Sequence, residues 1–197
     1  MKKQFRLFTM LLLVVMPFQM GYSQPASQTS RGYLPLTEHV LMKKAMDGSE
    51  VVIECGSVFK VAQTDRYILR GWRLGDFIQV KENLDIFKNT KYKVHNKRTD
   101  EDVQVNLSLG PIKNRDHFKY IDRVSLNRNE VEVRNQNGYR SVWSVQEGYE
   151  SRLQKWKNGQ AIIIGVNDRS WSVWMYGYDM ILINVERNES LPVCRVE

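Results

Sequence analysis

The feature that most limits how this chain can fold is a turn that occurs twice. Trp72-Arg73-Leu74-Gly75-Asp76 precedes an alternating segment carrying Ile78 and Val80, and Trp156-Lys157-Asn158-Gly159-Gln160 precedes one carrying Ile162 and Ile164. Further along, Asn96 is followed by Glu101, Val103 and Val105, and Asn184 by Glu189, Leu191 and Val193, at the same offsets. Upstream, Gly56 and Gly138 stand ahead of their respective tryptophans. This many anchors in one order predict an internal duplication. The boundary falls at Leu109-Gly110-Pro111, a turn signal between alternating segments. A Trp ahead of a Gly turn suits the end of a small barrel, where the indole covers the core and the Gly takes a backbone conformation other residues resist.

Short alternating segments fill the rest of each half, at 51–53, 58–61, 76–80 and 103–107, then at 131–134, 139–143, 161–166, 171–178, 180–184 and 191–196. Asn137-Gly138 between two of them is a strong hairpin signal. Ahead of the first, residues 37–46 predict a short helix, with Thr37 as N-cap, Val40, Leu41 and Ala45 along one side, and Asp47-Gly48 as the stop. The expected fold class is therefore all-β, with two tandem related halves, each a small barrel or sandwich, behind a signal peptide and a short helix. In spacing, the arrangement resembles SH3-like and other small duplicated barrels of exported bacterial proteins. The expected organisation is 1–23 signal peptide, 24–35 flexible leader, 36–110 first β repeat with its helix, and 111–197 second β repeat.

Lys2, Lys3 and Arg6 precede an apolar run from Leu7 to Met16, Pro17 breaks it, and Gly21 and Ser23 supply small residues. That layout predicts export, with cleavage after Ser23 and a periplasmic or secreted mature protein. The run is too short to cross a bilayer, which takes about 20 residues. The signal holds three of the 29 basic residues and none of the 22 acidic ones, leaving 26 against 22, a net charge of +4. So mild a surplus, spread along the chain, argues against nucleic acid as a partner.

Cys55 and Cys194 lie in a chain expected in an oxidising compartment. They either pair as a disulfide closing a very long loop or remain two thiols. Neither has metal-ligand or redox spacing, and no metal or cofactor is expected. His39, His95 and His117 sit outside any zinc-protease, nucleophile-elbow or phosphate-loop motif. Asp100-Glu101-Asp102 reads as a solvated turn, because an acid/base dyad needs one carboxylate desolvated. No residue is marked as catalytic, and an envelope-polymer hydrolase is the weakest of three readings.

The chemistry-bearing candidate is Trp171-Ser172-Val173-Trp174-Met175-Tyr176-Gly177-Tyr178. As a strand it would put Trp174, Tyr176 and Tyr178 on one face, a flat aromatic platform for a glycan or a protein partner, with Arg169 and Asp168 adding polar contacts. The leading reading is a non-catalytic binding module for an envelope component or another protein. The alternative is a structural or assembly protein whose aromatic strand packs the two halves or an oligomer.

Overall fold

A computed structural model describes residues 35–85, 89–169, 173 and 176–196. The expected signal peptide and leader lie outside the described residues up to position 34.

The described chain is all-β. The first six strands are β1 (His39–Lys44), β2 (Glu50–Ile53), β3 (Val58–Val61), β4 (Phe77–Glu82), β5 (Tyr92–Asn96) and β6 (Glu101–Leu109). Their order is β1-β2-β3-β6-β5-β4, and β4 pairs back onto β1 through His39 with Ile78 and Val40 with Phe77, closing a six-stranded barrel. Six more strands follow: β7 (Lys119–Ser125), β8 (Glu130–Asn135), β9 (Arg140–Val145), β10 (Ala161–Val166), β11 (Met180–Asn184) and β12 (Glu189–Arg195). They run β7-β8-β9-β12-β11-β10, and β10 also pairs with β7. A parallel contact between Lys81 of β4 and Val166 of β10 joins all twelve strands.

The segment expected as a helix at 37–46 is instead β1. Its Leu41 pairs with Ile53 and turns inward with His39, so cross-strand burial overrides the helical spacing of Val40, Leu41 and Ala45. Asp47-Gly48 makes a hairpin turn here: Gly48 has φ +74°, and its N–H donates to Ala45 O at 3.0 Å. β7, which was not anticipated, lies between the expected boundary at 109–111 and the first segment expected in the second half, at 131–134.

In both sets the connection from third to fourth strand crosses one end. Between β3 and β4 it carries two 3-10 turns, Gln63–Asp65 and Ile68–Gly71, and buries Leu69 and Trp72. Between β9 and β10 it carries the one-turn helix α1 (Glu150–Leu153) and buries Leu153 and Trp156. Both tryptophans thus lie over the core, as their place before a Gly turn suggests. The turns are bonded alike. Gly75 N–H donates to Leu41 O at 2.8 Å and Gly159 N–H to Ile121 O at 2.7 Å. Fully buried Asn96 donates to Asp76 Oδ2 at 2.7 Å, and fully buried Asn184 to Gln160 Oε1 at 2.8 Å.

Two cores result. One gathers Phe59, Ile78, Val80, Val94 and Trp72 from the first set together with Ile163, Ile181 and Ile183 of β10 and β11. The other holds Ile121, Trp143, Trp156, Ile162, Ile164 and Leu182. Alternate residues of β10 and β11 therefore face different cores, which explains the uninterrupted apolar runs Ala161-Ile162-Ile163-Ile164 and Ile181-Leu182-Ile183. Among the described residues, both cores draw on positions 36–193.

Candidate functional site

The aromatic segment lies between β10 and β11, and the described part of it is not a strand. Val173 N–H donates to Arg169 O at 3.2 Å and Gly177 N–H to Val173 O at 3.1 Å, the four-residue closures of a helical turn. The two-residue alternation expected to align Trp174, Tyr176 and Tyr178 therefore does not govern the described positions. Tyr176 is exposed and Tyr178 half-buried, while Trp174 and Trp171 lie outside the described residues. Arg169 is engaged within the protein. Its Nη2 donates to Glu82 Oε2 at 2.7 Å and its Nη1 to the Tyr149 hydroxyl at 2.8 Å, tying the segment to both sets of strands.

The two cysteines are free thiols. Cys55 is buried beside Ser57 Oγ at 3.1 Å, and burial pushes its thiol pKa up. Cys194, on β12, is raised for the same first reason. His39 is buried between β1 and its surroundings, with Nδ1 2.8 Å from Glu54 Oε1 and Nε2 2.8 Å from the Ile164 carbonyl. The contact with the Ile164 carbonyl ties β1 to β10. Burial raises the Glu54 carboxyl, but the charge and hydrogen bond of His39 and the Val40 N–H outweigh it and bring the pKa down to about 2. His39 and Glu54 thus join separate segments of the fold. Among the described residues no three His, Cys, Asp or Glu side chains converge as a metal site would require.

A different surface has free chemistry. The β1–β2 turn and the β3–β4 crossing together line an open cavity of about 230 Å³ at one end of the first barrel. Lys43, Lys44, Arg66 and Arg70 line it beside Ala45, Met46, Leu69 and Leu74, and no acidic residue does. Lys44 is committed: its ammonium donates to Leu69 O and Trp72 O at 2.5 and 2.7 Å, pinning the crossing to β1. Arg66 stands 3.9 Å from Asp47 at the rim, and its buried Nε has no hydrogen-bond partner among the described residues. Lys43, Arg70 and neighbouring Arg73 are exposed, and their cationic groups meet no described acidic partner. Around them Met46 is fully exposed at the hairpin tip, and Tyr67 and Leu74 are 67% and 62% exposed. Met42 and Phe77, at the adjoining β1–β4 seam, are exposed as well.

Sequence reasoning missed this surface because its members come from separate segments. Lys43 and Met46 read as helix, and Leu74 as part of a structural turn. The available signal was the apolar residue at each turn tip, where a polar one is usual. Comparison with protein-family models, with curated proteins and with solved structures finds no match to this chain.

Proposed function

We propose that this chain is an exported, non-catalytic binding protein, built from two related barrels, that recognises an envelope component or another protein. Support for two related halves comes from the shared strand order and from the paired Asn96–Asp76 and Asn184–Gln160 contacts under equivalent Gly turns. Export rests on the basic-then-apolar start of the sequence and the small residue at Ser23.

The observation that carries the binding reading is the loop end of the first barrel. Exposed apolar side chains grouped beside cations that meet no described acidic partner are the composition of an interaction surface. The test measures binding of the chain lacking residues 1–23 to wall glycan, to anionic lipid and to a purified acidic protein, separately, by biolayer interferometry. Saturable binding to one of them, lost in the double variant Lys43→Glu/Arg70→Glu, is expected. Equal responses from wild type and variant on all three would remove the reading, and release of soluble fragments from the glycan would overturn its non-catalytic part.

A second reading has its own observation. Arg169 bonds Glu82 on one side and Tyr149 on the other, which favours a packing role for the segment around Tyr176 over a ligand platform. Arg169→Ala should then lower the melting temperature while leaving ligand binding intact.

A further inference from the structure

We propose that the loop end of the first barrel docks on an anionic lipid surface, with Met46, Tyr67 and Leu74 entering the interface and Lys43, Arg66, Arg70 and Arg73 meeting the headgroups. This rests on the binding reading above and names the partner of that same site.

Three observations favour a surface over an enclosed ligand. The cavity, about 230 Å³, is smaller than a typical ligand pocket of roughly 300–1,000 Å³. Tyr67, 67% exposed, stands outside the cavity lining, so a molecule seated in the cavity would leave it in water. The apolar tips also come from two separate connections, the β1–β2 turn and the β3–β4 crossing, that share one barrel end. Apolar tips beside long cationic side chains suit interfacial attachment: the apolar groups enter the boundary between headgroups and acyl chains while the basic side chains stay at phosphate level. Charge complementarity picks the lipid class. The cavity lining has four cations, and Asp47, 3.9 Å from Arg66, is the carboxylate at its rim, so a net positive field remains that an anionic surface answers and a zwitterionic one does not.

The platform is also stiff enough for this. Lys44 fixes the crossing to β1 through two carbonyls, and Trp72 donates its indole N–H to Glu101 at 3.1 Å beneath it. The tips are thus presented on a fixed frame and need not be ordered on docking.

The experiment is co-sedimentation of the chain lacking residues 1–23, which keeps every described core residue, with vesicles of equal parts phosphatidylglycerol and phosphatidylcholine and with phosphatidylcholine alone. Met46→Glu/Leu74→Glu and Lys43→Glu/Arg70→Glu are run beside wild type, with circular dichroism and melting to confirm that these exposed changes leave the fold intact. Expected is partition to the anionic vesicles alone, at least tenfold weaker for each double variant and released as salt rises from about 0.05 M to about 0.5 M. Failure to sediment with anionic vesicles, or partition that neither variant changes, would overturn the proposal. If vesicles fail while glycan or acidic protein is bound through Lys43 and Arg70, the lipid assignment falls and the binding reading stands. If every surface fails, both fall.

Discussion

Gly165→Ala is the substitution whose outcome the structure constrains most tightly. Gly165 lies on β10, beside its parallel contact with β4, and its φ is not positive. On backbone grounds alone, alanine there should help, by about 0.4–1 kcal/mol through the unfolded chain. Space reverses the sign. An added Cβ would stand well inside 3.0 Å of the Val80 carbonyl oxygen and 2.9 Å from Ile181 Cγ1. Val80 cannot retreat cheaply, because it is fully buried and paired with Val94 on β5. Overpacking of this kind costs roughly 1–3 kcal/mol, and a backbone obstacle puts the net loss near 2 kcal/mol. For a domain of this size that is a fall of about 4–8 °C in melting temperature. Gly71→Ala is the matched control: nothing lies within 4 Å of its added Cβ, and its φ is likewise not positive. It should equal or slightly exceed wild type. Thermal and urea unfolding followed by circular dichroism read both proteins. A Gly165→Ala protein as stable as wild type would refute the close approach of β4 and β10.

Three further outcomes follow from the polar groups. The folded-state pKa of Glu54 is depressed from 4.5 to about 2, so its stabilisation is present above pH 4.5 and lost as pH falls toward 2. Acid titration of unfolding free energy should be shallower over that window in Glu54→Gln, and an unchanged slope would contradict the His39–Glu54 pair. Asp76 is held well below the ordinary carboxylate range, first by hydrogen bonds from Arg98, then by Arg73 N–H and Asn96 against the opposing burial. Asp76→Ala strands the buried Asn96 amide and should cost about 2–3 kcal/mol in urea unfolding; a loss below about 0.5 kcal/mol would dismiss the network. A thiol reagent should find two free thiols on denaturation, with Cys194 reacting ahead of Cys55 in the folded protein, whereas no free thiol would mean that the two are bridged.

Much of the strand content was legible because alternation survives wherever one face is buried. Ile78 and Val80, or Val103 and Val105, point inward and their neighbours outward. Legibility failed where a different period fitted as well. Residues 37–46 satisfy a helical stripe, and only the distant partner Ile53 makes Leu41 a strand residue. β7 was missed because Lys119, Asp122 and Arg123 hide its few apolar residues; its outer face is instead covered by ion pairs such as Arg134–Asp122 at 2.9 Å. The 171–178 stretch is rich in residues that favour strands, yet the bonds at Val173 and Gly177 close a helical turn. The candidate surface could not be read from sequence at all, since it depends on a hairpin tip and a crossing segment meeting at one barrel end.

The sharing of β10 and β11 between two cores sets a timetable for the nascent chain. Synthesis delivers the first barrel's strands early, but three of its core side chains, Ile163, Ile181 and Ile183, are among the last to arrive. Until residue 183 has left the ribosome, the earlier strands can collapse but cannot complete their interior. The closure contacts at β1–β4 join early residues, so what waits on the far end of the polypeptide is the filling of the barrel's interior. A chain halted near the Gly110 boundary would present an unfinished apolar face to proteases and chaperones, so quality control can sense nearly the whole length of this protein from the state of its first half.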